Sequence, residues 1–177
     1  MAHKQAEGRM LYEDEEFYLR EAKPTERGEL RRLFKQNLDR GWVLAEKAVT
    51  IVAIDKKLGV LAGGIEIDME NAKDHLANPA GFVVKPEFRK KGIGRKLVEA
   101  ADREIERNGI EKATAIVSSE GAWKIYRAQG YDYPEETKAK LRSDGLPLDR
   151  FVRTLPMVKE FKKPLSEVLG GKQLTII

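Results

Sequence analysis

The sequence contains no cysteine. That excludes disulfide staples, thiolate metal ligands and a thiol nucleophile. Histidine is scarce: His3 and His75 are the two in 177 residues, too few and too far apart for a zinc site. No apolar run reaches the length of a membrane-spanning helix. The stretch from Met1 to Glu16 is polar and acid-rich, unlike a secretion signal, and reads as a flexible leader. Charge of one sign does not dominate either. The 33 Lys and Arg against 29 Asp and Glu leave a net charge of +4. A nucleic-acid binder usually concentrates its basic charge in one patch. These absences lead us to expect a cytoplasmic chain that binds neither nucleic acid nor membrane, and no metal.

What is present fits one domain, over residues 17–156, with a C-terminal extension over 157–177. Phe17 to Glu21 alternates as a strand. Pro24 and Thr25 open a helix with Leu30, Leu33, Phe34 and Leu38 on one face, and Gly41 ends it. Ala48 to Asp55 and Val60 to Met69 read as a hairpin around a turn at Lys56 to Gly59. In its second strand, Glu66 and Asp68 share the face opposite Ile65 and Ile67. Asn71 to Pro79 reads as a polar loop. Ala80 to Lys85 is a short strand stopped by Pro86, and Gly92 to Asn108 a helix ended at Asn108-Gly109. Ala113 to Ser118, Gly121 to Gln129, Tyr131 to Tyr133 and Phe151 to Leu155 follow as strand, helix, strand and strand. The hairpin calls for antiparallel strands and the strand–helix–strand unit around Gly92 for a parallel pair. The fold class expected is therefore α/β (α+β), a mixed sheet flanked by helices.

The most informative stretch runs from Val83 to Leu97. A strand ends at Pro86, and a basic loop carrying Gly92 and Gly94 leads into a helix. Such a loop aims backbone N–H groups at one spot, on the positive end of the helix dipole. Lys85, Arg89, Lys90, Lys91, Arg95 and Lys96 place six cations in twelve positions. The chemistry that suits this is a pyrophosphate on a polyanionic ligand. The alternative is a solvated helix start with ordinary glycines. A Walker loop is excluded because no G-K-[S/T] is present, and a dinucleotide fingerprint would need a third glycine where Leu97 stands.

The run Arg89-Lys90-Lys91-Gly92-Ile93-Gly94 resembles the R/Q-x-x-G-x-G/A signature of the GNAT superfamily of N-acetyltransferases. Val84-x-Pro86-x-Phe88 resembles that family's lead-in. Downstream, Ala122 to Tyr131 (A-W-K-I-Y-R-A-Q-G-Y) is similar to its A-x-x-ϕ-Y-x-x-x-G-[F/Y] segment, in the family's order and spacing. The resemblance implies a mostly antiparallel sheet of about seven strands with one parallel pair splayed at a bulge around the CoA site. It implies acetyl-CoA as co-substrate and an amine as acceptor: a small molecule, a peptide N-terminus or a lysine. By the same resemblance Val83 and Val84 lie along pantetheine and the Phe82 N–H faces the thioester oxygen. Backbone amides from Lys90 through Lys91, Gly92, Ile93 and Gly94 to Arg95 hold the pyrophosphate, with Arg89 and Arg95 adding charge.

Tyr126 stands where many members place a tyrosine near the CoA sulfur, as acid to the leaving thiolate; otherwise it is a core tyrosine. Ser119 replaces the family's frequent CoA-contacting Asn. Asn78 stands where some members carry a general-base Glu and cannot act as one. The base candidates are then Glu66, with Asp68 beside it, and His75. The plainer reading of Glu66 and Asp68 is two solvated carboxylates on an exposed sheet face, and of His75 a solvated loop residue. Trp42 lies where this family often builds a substrate wall. Trp123, Tyr131 and Tyr133 read as packing groups. Two further readings stand beside the enzyme. One is a non-catalytic acyl-CoA-binding regulatory module. The other is a nucleic-acid-binding domain, disfavoured because the basic run has no interleaved aromatics. A homodimer through the C-terminal extension is a further expectation.

Overall fold

The computed structural model describes residues 8–37, 48–74, 76–153 and 155–161. The chain forms β1 (Met10–Glu13), β2 (Phe17–Glu21), α1 (Arg27–Asn37), β3 (Ala48–Asp55), β4 (Leu61–Asp68) and β5 (Leu76–Val84). It continues with α2 (Ile93–Arg107), β6 (Lys112–Ile116), α3 (Glu120–Ala128), α4 (Glu135–Ser143) and β7 (Pro156–Glu160). Among the described residues seven strands lie in sequence order in one sheet. Every neighbouring pair is antiparallel except β5 and β6, which are parallel. The mixed, mostly antiparallel sheet expected from the sequence is the sheet observed.

Two apolar clusters sandwich this sheet. Alternation along the strands decides which residue joins which cluster. Ile51, Ala53, Ile65 and Ile67 face α2, whose Ile93, Leu97, Val98, Ala101 and Ile105 are buried against them. Val52, Ile54, Leu61 and Val83 face α1, which contributes Leu30, Leu33 and Phe34 as its spacing predicts. Leu38 and Gly41 lie outside the described residues. Close approach of α1 depends on Gly64, where a Cβ would come within 2.9 Å of Leu30 Cδ2. The helix α2 stops at Asn108 and Gly109, the glycine at φ 69°, as its sequence announces.

Several elements differ from the sequence reading, each for a local reason. Met10–Glu13 is a strand rather than part of a frayed leader. It pairs with β2 through a turn in which Asp14 Oδ1 accepts the N–H groups of Glu16 and Phe17 at 2.8 and 2.9 Å. Strand β5 begins at Leu76, inside the expected polar loop, because both of its edges find partners there: Asp68 opposite Asn78, and Lys112 opposite Leu76. Glu135–Ser143 is a helix that buries Leu141. The last strand among the described residues is Pro156–Glu160, not Phe151–Leu155. The Tyr133 hydroxyl donates to Arg150 O and accepts from Val152 N, both at 3.0 Å, so a side chain takes backbone groups that a ladder would use. Tyr131 to Tyr133 contributes a single bridge, Asp132 to Val158, instead of a strand.

Candidate functional site

The site begins where the sheet fails to close. Strands β5 and β6 pair at Leu76–Lys112 and Ala77–Ala113. Beyond that point β5 pairs with β4 alone and β6 with β7 alone. A bulge on β5 accompanies the divergence. Ile65 faces Phe82 and Ile67 faces Pro79, so Ala80 and Gly81 together oppose Glu66. One extra residue bends the strand and raises its twist. Pro79, opposite Ile67 just before the bulge, turns its carbonyl to Tyr126 and so has its missing N–H on the side away from β4, where no bond to that strand is lost. The result is a wedge between residues 78–84 of β5 and 114–116 of β6.

The backbone of β5 has a defined orientation at this wedge. Lys85 N donates to Ala62 O at 2.9 Å, which points Lys85 and Val83 toward β4. Successive residues alternate direction in an antiparallel ladder. The N–H and C=O groups of Phe82 and Val84 therefore face the wedge. Arg89 confirms this for Val84, because its Nε donates to Val84 O at 3.0 Å.

The basic loop leaves β5 at the wide end of the wedge. Pro86–Phe88 forms a 3-10 turn anchored by buried Phe88. Lys90 and Gly92 then take positive φ, 66° and 79°. Lys96 N donates to Gly92 O, so the N–H groups of Ile93, Gly94 and Arg95 have no acceptor within the helix, and no side chain caps it. Lys90 and Lys91 are exposed beside these amides. The arrangement suits an anion of phosphate size. The two glycines serve different ends. Gly92 permits the left-handed turn. At Gly94 a Cβ would lie 2.9 Å from Phe82 Cζ and 3.1 Å from Ile125 Cδ1, so this glycine lets the start of α2 press on β5 and α3.

Helix α3 carries Tyr126 to the inner wall. Ser119 caps that helix, its Oγ accepting Ala122 N at 3.2 Å, which leaves the exposed hydroxyl its proton to donate. Tyr126 is 1% exposed, its ring edge-on to Phe82, and its hydroxyl donates to Pro79 O at 3.2 Å, just before the bulge. Burial first, and the nearby Asp102 carboxylate second, push this phenol well above its ordinary value. It keeps its proton at neutral pH.

The remaining sequence candidates divide. Glu66 is 1% exposed, which overturns the solvated-face reading for it. Gly64 lies under α1, so alternation puts Glu66 on the α1 side of the sheet, opposite the Tyr126 side. Asp68 is half-buried at the strand end and accepts Glu70 N at 2.8 Å. Asn78 is half-buried in β5. His75 and Trp42 lie outside the described residues. Trp123, Tyr131 and Tyr133 are buried, as packing groups should be. Sequence reasoning missed Asp102, a buried carboxylate on α2, because its position reads as one charge among many on that helix. Among the described residues no cluster of His, Asp or Glu is arranged to hold a metal ion.

An open wedge in the sheet beside an uncapped helix start with exposed lysines is the arrangement the site presents. The chain belongs to the acetyltransferase (GNAT) family, whose model matches residues 9–131. Solved structures show the same fold. Tetrahymena GCN5 is 15% identical, with a TM-score of 0.59, over 88% of this chain and 96% of that one. A Bacillus subtilis acetyltransferase in complex with CoA is 18% identical, with a TM-score of 0.57, over 81% and 98%. YncA, a putative acetyltransferase from Salmonella typhimurium with its cofactor acetyl-CoA, is 14% identical, with a TM-score of 0.58, over 85% and 96%. No protein of curated function matches the chain.

Proposed function

We propose that this chain moves an acetyl group from acetyl-CoA to an amine by direct attack, with both substrates bound together. The observation that carries this is the pairing of two features on one strand. Strand β5 turns the edge of Phe82 and Val84 that does not pair with β4 to the wedge, and its C-terminal end feeds the anion-binding turn. CoA supplies the acetyl group as a thioester. The chain's residues do the rest. The Val84 N–H, and the Val84 C=O that it shares with Arg89 Nε, offer a strand-like pairing edge to an amide-bearing arm. The N–H groups from Ile93 to Arg95 face the diphosphate, with Lys90 and Lys91 adding charge. The Phe82 N–H donates to the carbonyl oxygen as negative charge grows there.

Tyr126 supplies a proton to the departing sulfur. To do so its hydroxyl exchanges Pro79 O for the sulfur. Glu66, on the α1 side, takes the amine's proton directly or through water, and the incoming amine and outgoing thiol then lie on opposite faces of the sheet. The acceptor is a small-molecule amine, a peptide N-terminus or a lysine, and we place the reaction in the cytoplasm.

The test is acetyl transfer across a panel: a diamine, free lysine, a peptide with a free N-terminus, and an N-blocked peptide containing lysine. Transfer to any of them supports the enzyme. CoA binding by calorimetry with no transfer to any of them favours the regulatory module instead, a reading supported by Asn78 in place of a family base.

A further inference from the structure

Tyr126 is not held by its own helix alone. Its ring sits between two others, Phe82 with centroids 6.1 Å apart and Tyr131 with centroids 5.0 Å apart, at interplanar angles of 86° and 83°. Tyr131 is itself fixed at its far end, where the hydroxyl donates to Asp102 Oδ1 at 2.8 Å. Asp102 lies midway along α2 and is 5% exposed. Its second oxygen accepts from Lys159 Nζ, on β7, at 2.6 Å. The same ammonium lies 5.8 Å from the Tyr131 ring and 4.9 Å from the Phe161 ring. Three elements from distant parts of the chain thus converge behind one tyrosine.

Asp102 is buried and Lys159 half-buried. A buried carboxylate–ammonium pair is often replaceable by apolar residues of similar volume without loss of stability, because desolvation offsets the attraction. What an apolar replacement cannot do is fix a ring by its polar end. An edge-on aromatic contact transmits that fixing to the next ring, since the geometry is directional.

We propose that Asp102 and Lys159 are positioning residues for acetyl transfer. They clamp the Tyr131 hydroxyl, and the Tyr131 ring then sets the angle at which the Tyr126 phenol meets the wedge. Helix α2 also carries the anion-binding turn at its start, so the clamp ties the acid to the element that seats the diphosphate. This rests on the reading of Tyr126 as the acid.

The experiment is a double-mutant cycle on kcat, using the amine of the panel that turns over fastest. Tyr131→Phe keeps the ring and removes the hydrogen bond to Asp102. It should lower kcat about five- to tenfold and leave the KM for acetyl-CoA within about twofold. In a Tyr126→Phe background the same change should alter kcat less than about twofold, because no phenol remains to be aimed. Lys159→Met should repeat the pattern more weakly, and it carries the test if Tyr131→Phe fails to fold. Equal losses in both backgrounds, or losses that track a fall in Tm, would show a purely structural prop and overturn the proposal. Normal kcat in both Tyr131→Phe and Lys159→Met, with a slow Tyr126→Phe, overturns it alone. An unimpaired Tyr126→Phe overturns the acid reading and this proposal together.

Discussion

Replacing Gly92 by alanine isolates the backbone of the proposed anion-binding turn from everything around it. Gly92 has φ 79°, and a Cβ there would meet nothing within 4 Å. The substitution therefore introduces no clash with the fold, only a left-handed conformation on an L-residue. That conformation costs about 1–2 kcal/mol. Lys90 already holds a positive φ two residues earlier, so the loop has little freedom to relax elsewhere while keeping its shape. If the free loop of the variant escapes to negative φ, binding must restore the turn, and CoA affinity should fall roughly five- to thirtyfold, since about 1.4 kcal/mol corresponds to tenfold. Gly92→Asn should recover part of this, because Asn tolerates the left-handed region better than Ala. Calorimetric titration of CoA into the three proteins measures it, with circular dichroism melts as the control for folding. Undiminished affinity in Gly92→Ala would refute the reasoning, because the turn would then not need the geometry that presents its amides.

Tyr126→Phe should lower turnover about tenfold or more with CoA affinity nearly unchanged, as measured by steady-state kinetics beside calorimetry. Gly94→Ala should cost about 1–3 kcal/mol of stability in a denaturant melt, because the new Cβ overpacks Phe82 and Ile125. CoA binding should weaken as salt rises from low to physiological strength, since Lys90 and Lys91 are exposed. The Glu26 carboxyl is held below its ordinary range chiefly by its hydrogen bond to the Arg20 guanidinium. Its contribution to stability is thus present above the unfolded carboxylate range and lost as pH falls through the folded value. Glu26→Gln should flatten the acid side of a stability–pH curve.

The part of the site legible in the sequence is the part made by the main chain. Pro86, the basic run and Gly92 announce a strand end, an open loop and a helix start within a few residues, and these features are local. The apolar faces of α1 and α2 were legible for the same reason, because a helix shows its buried side at fixed spacing. The wedge itself was not readable from residue properties. It depends on one extra residue at Ala80–Gly81, and only pairing against β4 reveals a bulge there.

Strand β1 was hidden because four residues beside an acidic turn carry almost no periodic signal. Its stability comes from β2, a partner the local sequence does not display. Helix α4 had usable signals: Glu135 and Glu136 in the first turn, Lys140 and Arg142 in the last, and Gly145 just beyond. Its single buried Leu141 left no apolar stripe to find. Glu66 reads as an outward residue by alternation, yet α1 lies on that side of the sheet and the residue is buried. Alternation tells which residues share a face, not what covers it.

The most direct test of the account is the amide spectrum of the ¹⁵N-labelled protein with and without CoA. The account predicts that the largest shifts fall on Phe82, Val84, Ile93, Gly94 and Arg95, two groups separated in sequence but facing one ligand. Shifts confined to other surfaces, or an anion-turn response with Phe82 and Val84 unmoved, would contradict it.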